Sequence, residues 1–353
     1  MYRALLKLQY LVEIFSKKST IPSMTRKILV TGGAGFIGSN FVHHALENTN
    51  WDIVNIDLLT YAGNLENLRE IENDPRYRFV KGDIADAPFI DKLFAKEKID
   101  GVINFAAETH VDRSIEDSSP FIRTNILGTH ILLEACRKHD VKRYHQVSTD
   151  EVYGDLGDPL PGEALKFFHE DTPLAPNCPY AAAKTSADLL VKSWHHTYGL
   201  HATISRCSNN YGPYQFPEKL IPFFLFKAMN NEALPMYGDG KNIRDWLYVR
   251  DHCEAIRLIF EKSKPGEVWN IGGHNEKTNL EITDMILKET GSTSQMEFVP
   301  DRKAHDRRYA IDASKIEQEL GWTPAHTFEE ALPLTIKWYQ DNQDWVESCR
   351  EKV

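Results

Sequence analysis

From Lys27 onward, short apolar runs alternate with longer stretches whose apolar residues recur every three or four positions. The runs KILVT (27–31), WDIVNID (51–57), RYRFVKGD (76–83), DGVINFAAE (100–108), RYHQVST (143–149), HATISRCS (201–208) and EVWNIGG (267–273) read as strands. The stretches 36–48, 88–97, 119–139 and 180–198 read as helices. Strands alternating with helices predict an α/β fold, a doubly wound parallel sheet covered on both faces. Right-handed crossovers then bring the carboxyl ends of the strands to one edge, where ligands bind in such sheets.

After about Asn209 the rhythm changes. Gly212, Pro213, Pro217, Pro222, Pro235, Gly238 and Gly240 crowd the chain, and alternation returns only at 267–273. This predicts a smaller C-terminal domain interleaved with the end of the sheet. Residues 24–208 with about 245–275 form the first unit; 209–244 and 276–353 form the second. Residues 1–23 precede a second methionine, Met24, and are apolar and basic. Arg3, Lys7 and Glu13 interrupt them, so they lack the unbroken apolar centre of a secretory signal. We read them as an extension without a role; Arg3, Lys7, Lys17 and Lys18 leave a packed or transit-like amphipathic helix open.

Length and charge narrow the class. The 353 residues suffice for about two domains. A net charge of −10 argues against nucleic-acid binding through general charge, though not against a local basic pocket. No run approaches the ~20 apolar residues of a membrane span. Cys136, Cys178, Cys207, Cys253 and Cys349 are odd in number, far apart and without a CxxC pair. That predicts neither a disulfide framework nor a metal site, and suits a reducing, cytoplasmic setting.

Two clusters carry chemistry. TGGAGFIG, from Thr31 to Gly38, lies between a strand and a helix, with glycines at 32, 35 and 38. Glycine allows the tight turn and close approach to a pyrophosphate, and the helix start holds the negative charge. Asp57 ends the next strand, 19 residues beyond Gly38, where a carboxylate accepts from both ribose hydroxyls and repels a 2′-phosphate. The motif therefore predicts NAD on a Rossmann-type sheet. Asp83, Ile84, Ala106 and Ala107 end later strands and fit the same ligand together, although a strand end explains each alone. In the second cluster, Tyr180 and Lys184 stand at helical i, i+4 spacing, 31 residues after Ser148-Thr149. A neighbouring ammonium would lower the tyrosine pKa and make it a usable base.

The glycine turn, the Ser/Thr strand end and YxxxK resemble the extended short-chain dehydrogenase/reductases. STDEVYG (148–154) is similar to the dTDP-glucose 4,6-dehydratases. So are DxLTYAGNL (57–65), AAExHVDRS (106–114), SNNYGPYxFPEKLIP (208–222), YGDGxNIRDWLYVxDH (237–252) and HDRRYAID (305–312). These segments span nearly everything from Lys27 to about Trp338. The resemblance implies dehydration of dTDP-glucose to the 4-keto-6-deoxy sugar by internal hydride transfer through tightly bound NAD. Such a product feeds rhamnose or another deoxysugar. Tyr180 with Lys184 and Thr149 would oxidise C4, Glu151 would take the C5 proton and Asp150 would protonate the leaving C6 oxygen. Adjacent carboxylates in a partly buried site should titrate as a pair, one of them protonated. A sugar-nucleotide epimerase needs neither, so Asp150-Glu151 separates the two reactions; an epimerase or decarboxylase, or a non-catalytic NAD-binding protein, is the alternative.

The resemblance also implies site residues. NAD would meet Gly32, Gly35, Phe36, Ile37, Gly38, Asp57, Leu58, Leu59, Thr60, Asp83, Ile84, Ala106, Ala107, Glu108, Thr124, Tyr180, Lys184 and Asn210. The nucleotide sugar would meet His110, Thr149, Asn209, Lys219, Leu220, Pro235, Met236, Tyr237, Arg244, Asn279, His305 and Tyr309. Arg244 suits a diphosphate because guanidinium pairs with two phosphate oxygens, its alternative being a surface ion pair with Asp245 or Asp239. Lys303-Ala304 replaces the Pro-Gly of the family pattern, which predicts a less constrained loop. A homodimer pairing the helices at 119–139 and 180–198 is implied too, although core packing explains their apolar faces equally well.

Overall fold

The computed structural model describes residues 26–350 apart from 160, 161 and 163; the reading of residues 1–23 lies outside the described residues. Seven strands form the main sheet: β1 (Lys27–Thr31), β2 (Asp52–Asp57), β3 (Tyr77–Lys81), β4 (Gly101–Asn104), β5 (Arg143–Thr149), β6 (Ala202–Cys207) and, after three intervening strands, β10 (Val268–Ile271). Their spatial order is β10-β6-β5-β4-β1-β2-β3, with every neighbouring pair parallel. Strand order reverses between β1 and β4, which leaves a crevice beyond their carboxyl ends.

Helices cover both faces. α1 (Phe36–Asn48) lies on one face. α2 (Ala87–Glu97), α4 and α5 (Pro179–Tyr198) lie on the other, and the short α3 (Val111–Glu116) precedes α4. α4 consists of Ser119–Phe121, a π-helical stretch Ile122–Gly128, and Thr129–Lys138. The sequence pattern predicts one regular helix there. The wider turn sets Asn125 against the chain leaving β4, where its amide accepts from the Glu108 N–H (2.9 Å) and donates to the Glu108 carbonyl (3.0 Å). The fourth strand is shorter than the apolar run 100–108 because the chain leaves the ladder after Asn104. Phe105 N–H still reaches the Thr31 carbonyl, and Ala106 N–H turns to the Thr31 hydroxyl.

The second unit is built on β7 (Asn209–Tyr211), α6 (Leu220–Met229), β8 (Leu234–Tyr237), β9 (Ile243–Tyr248), β11 (Glu276–Thr278), α8 (Asn279–Thr290), β12 (Met296–Val299), α10 (Phe328–Asp341) and α11 (Gln343–Arg350). β9 pairs parallel with β7 and antiparallel with β11, and β8 pairs with β12. Two boundaries differ from the sequence expectation. Of 245–275, only α7 (Val249–Lys262) and β10 join the first unit, because most of the segment up to Tyr248 is strand β9 of the small sheet. Conversely, Ala313, Ile316 of α9 (Ser314–Leu320) and Trp322 pack into the α1–α7 core, and Trp322 donates to the Asp251 carbonyl at 3.2 Å. Among the described residues, no helix is long and apolar enough to cross a membrane.

Candidate active site

Residues at the carboxyl ends of β1 to β6 line a cleft of about 320 Å³. Its cofactor half begins at Gly32, whose φ of +69° suits glycine, and where a Cβ would stand 2.7 Å from the Ala106 backbone. At Gly38 a Cβ would stand 2.2 Å from the Gly32 carbonyl oxygen. The turn is thus pressed between α1 and the chain leaving β4, and the first-turn residues Phe36, Ile37 and Gly38 line the cleft, at the helix end whose amides have no partner within the helix. Asp57 braces this turn: one carboxylate oxygen accepts from Ala34 N–H (3.0 Å), the other from Leu59 N–H (2.8 Å). Burial raises its pKa and these two bonds oppose the rise. A carboxylate has about four lone-pair sites, so room remains for ribose hydroxyls. Leu58, Thr60, Asp83, Ile84, Ala106, Ala107, Glu108, Thr124 and Asn210 line the same cleft. Leu59 does not; at φ +59° it packs into the α1-side core. His252, held neutral by burial, meets Asn210 Oδ1 through Nδ1 at 2.8 Å and fixes that amide. An anion-binding helix start, a carboxylate at the second strand and small residues at the fourth fit a nicotinamide dinucleotide.

The other half of the cleft holds Thr149, Glu151, Tyr180, Lys184, Asn209 and Lys219. Pro179 opens α5 at its first position, and Cys178 caps it by accepting from Ala181 N–H (3.4 Å). Tyr180 and Lys184 therefore share the helix face toward β5, where the Lys184 ammonium donates to the Val147 carbonyl at 2.7 Å. The expectation that this ammonium lowers the Tyr180 pKa is not met. Burial raises it, the Glu151 carboxylate and two thiols add to the rise, and a hydrogen bond with Thr149 opposes it. Burial likewise lowers Lys184, with the Asp188 carboxylate opposing.

The two acids differ. Burial drives Asp150 well above the usual carboxylate range, and Glu151 and Asp245 push it further. Glu151 is also raised by burial, but Arg244, Arg302 and Lys219 all oppose that rise. Asp150 stands behind Thr149, accepting from its hydroxyl at 3.2 Å, and does not itself line the cleft.

Several residues expected around the sugar nucleotide also lie off the cleft. Met236 is 1 % exposed and belongs to the core of the second unit, as alternate residues of a half-buried strand must. Pro235 and Tyr237 flank it on β8, Asn279 opens α8, and Leu220 opens α6 beside that core. His110 caps α3 and lies 3.7 Å from Glu218. His305 is tied to Asp301 at 2.6 Å. Arg244 is buried, donates to the carbonyls of Ile243 (2.8 Å) and Asp306 (2.9 Å), and lies over the Tyr309 ring. It makes neither ion pair weighed as its alternative, since Asp245 accepts from the Gly273 and Asn275 amides and Asp239 binds Arg307.

Sequence reasoning missed one group. The Tyr61 hydroxyl donates to Glu218 at 3.1 Å, and Arg113 lies 3.8 Å over the Tyr61 ring and 3.9 Å from Glu218. Glu218 lines the cleft beside Lys219. All three stand inside the motifs that carry the family resemblance, so their signal was present.

The GDP-mannose 4,6 dehydratase family model matches residues 29–335. A dTDP-glucose 4,6-dehydratase of Shigella flexneri is 50% identical over 344 residues, 92% of this chain and 95% of that protein. The crystal structure of a Bacillus anthracis dTDP-glucose 4,6-dehydratase in complex with NAD superposes with a TM-score of 0.85 at 47% identity, covering 92% of this chain and 100% of that one. A Streptomyces venezuelae dTDP-glucose 4,6-dehydratase with NAD bound gives 0.87 at 45%, covering 92% and 99%. Fold and site thus define an NAD-dependent enzyme of the extended short-chain dehydrogenase/reductase class. Within it, the chain belongs to the dTDP-glucose 4,6-dehydratase family.

Proposed function

We infer that this chain is a hydro-lyase converting dTDP-glucose to dTDP-4-keto-6-deoxyglucose. The observation that carries the reading is the cleft itself, where Glu151 and Tyr180 face the same space as the dinucleotide cradle. When bound, NAD supplies the acceptor that takes the C4 hydride and returns it at C6 in each turnover. Tyr180 accepts the proton of the 4-hydroxyl as its phenolate, a form that burial disfavours and that the positive charge of bound NAD would restore, and the Thr149 hydroxyl fixes the direction of that transfer. Lys184, anchored on β5, places its charge beneath the pair. The resulting ketone acidifies C5–H. Three cations around Glu151 favour its carboxylate, which suits a base; Asp150, amid burial and negative charge, keeps its proton and suits the acid for the C6 oxygen. Asp150 stands behind Thr149, and such contacts tighten when substrate fills a cleft. Water leaves, Glu151 returns a proton to C5 as the hydride reaches C6, the proton taken by Tyr180 offsets the one given up by Asp150, and no external oxidant is consumed.

Residues 24–208 with the α7–β10 segment hold NAD, and the second unit holds the nucleotide sugar, with Arg244 as its diphosphate contact. The chain works as a homodimer through α4 and α5, which present Ile122, Leu127 and Leu189 to the surface, and it works in the cytoplasm. The reading is tested by incubating the purified protein with dTDP-glucose, without added NAD, and weighing the product. Loss of one water is expected; no product, together with isomerisation of a UDP-sugar, would establish an epimerase instead.

A further inference from the structure

Beneath the active site lies a chain of buried polar side chains that takes no part in the chemistry just described. Tyr153 ends the short 3-10 turn Asp150–Tyr153 that carries both acids. Its hydroxyl donates to Asn270 Oδ1 on β10 (2.7 Å) and accepts from Arg206 Nη1 on β6 (3.0 Å). Arg206 Nε in turn donates to Asp188 Oδ2 at 2.9 Å. Asp188 stands on α5 four residues beyond Lys184 and eight beyond Tyr180, on the same helix face. Arg206 and Asp188 are both 0 % exposed.

We propose that Tyr153, Arg206 and Asp188 are positioning residues that lock the acid-bearing turn to the helix bearing Tyr180. The inference rests on the roles just given to Glu151 and Tyr180. Those two groups come from different elements, and the reaction requires both to address neighbouring carbons of one sugar. Thr149 and the β5 ladder fix where the turn begins; the Tyr153 link fixes where it ends. Stability alone does not account for the network, because a buried ion pair can often be replaced by apolar residues without loss. Its geometry does more than fill space: three donors and acceptors from β6, α5 and the turn meet in a fixed fork that apolar packing cannot specify. The Tyr153 ring is separately secured, stacked on Phe168 at 5.0 Å, so loss of the hydroxyl leaves the packing intact.

The test is a double-mutant cycle on the NAD-loaded protein. Tyr153→Phe removes only the hydroxyl. We expect kcat to fall about tenfold, with KM for dTDP-glucose and bound NAD unchanged. Combined with Glu151→Gln, it should add less than threefold to the loss from Glu151→Gln alone, because both act at one turn. Arg206→Lys keeps a cation for Asp188 but lacks the second donor, and should reproduce the Tyr153→Phe loss if that variant folds poorly. Wild-type kcat in either folded variant, or fully multiplicative losses in the double variant, would overturn the proposal. Wild-type kcat in Glu151→Gln would instead overturn the reading beneath it.

Discussion

Arg244 lies 4.3 Å over the ring of Tyr309, and this stack holds a buried guanidinium whose charge acts on both Glu151 and Asp150. Its donors to the Ile243 and Asp306 carbonyls fix the plane of the fork. Lysine retains the charge but cannot stack or pair in this way. Arg244→Lys should therefore raise KM for dTDP-glucose at least tenfold, in line with the ~1.5–3 kcal/mol of a charged hydrogen bond. Bound NAD should be unaffected. Steady-state kinetics with absorbance of the retained cofactor decides it, and an unchanged KM would remove Arg244 from substrate binding.

The division of labour between the two acids makes separable forecasts. Asp150→Asn and Glu151→Gln should each slow turnover by roughly 10²–10⁴-fold while NAD content stays as in the parent. In heavy water, Glu151→Gln should also lose incorporation of solvent deuterium at C5. Mass spectrometry of sugar recovered after partial turnover reads this directly. Deuterium entering at the parental rate would show that another group removes the proton.

The cofactor turn predicts a steric failure. A methyl group at residue 38 would meet the Gly32 carbonyl oxygen at 2.2 Å, a contact with backbone that no side-chain rotation relieves. Gly38→Ala should therefore be purified with little NAD and should melt earlier than the parent. Full NAD occupancy by absorbance after gel filtration would contradict this.

These forecasts rest on parts of the molecule that were unequally legible. Strands 27–31 and 143–149 and helix 36–48 follow from pattern alone, because a strand buried on both faces and a helix started by a glycine turn leave little ambiguity. The π-helical stretch at Ile122–Gly128 does not, since it goes with tertiary bonds between Asn125 and Glu108 that no local pattern displays. The same holds for Met236, whose strand neighbours point elsewhere, and for Trp322, which crosses to the first unit's core. The pKa of Tyr180 departs from the sequence expectation for a related reason. Spacing shows that Lys184 is near, but only the folded structure shows that burial outweighs it. Motif residues were legible as a set; their individual contacts depend on how separate segments meet, as Lys184 meets Val147 and Tyr61 meets Glu218.

Two buried histidines set a pH dependence of stability. Burial lowers His252 and His145 from 6.5 to about 3. Below pH 6.5 the unfolded chain binds protons that the native state refuses, so their contribution is complete above 6.5 and is lost as pH falls toward 3. Asp150 and Glu151 are raised instead and act with the opposite sign. His252→Asn keeps a donor for Asn210 but does not titrate. Between pH 6.5 and 5, its unfolding free energy should fall less steeply than the parent's, by about 1 kcal/mol per pH unit. Urea titrations at several pH values measure this, and parallel curves would refute it.

The loop at Asp301–His305 shows how a departure from the family pattern is accommodated. Ala304 has a φ of +50°, a conformation that suits glycine, and stands where the family pattern has it. The sequence predicts a loose loop here, yet Asp301 Oδ1 accepts from Arg302 N–H at 2.8 Å and contacts His305 Nδ1 at 2.6 Å, so the loop is pinned from its start. Relief of strain in Ala304→Gly is worth about 1–2 kcal/mol in the folded chain, and the greater freedom of glycine in the unfolded chain offsets about half of it. The expected result is a small rise in Tm, about 2 °C or less for a chain of this size, with KM for dTDP-glucose unchanged. Asp301→Ala should do the reverse, leaving Tm almost constant while raising KM severalfold, because His305 would lose the partner that orients it. Calorimetry and kinetics on the two variants separate the claims: if Ala304→Gly changed KM and Asp301→Ala did not, the loop would be held by its backbone and not by Asp301.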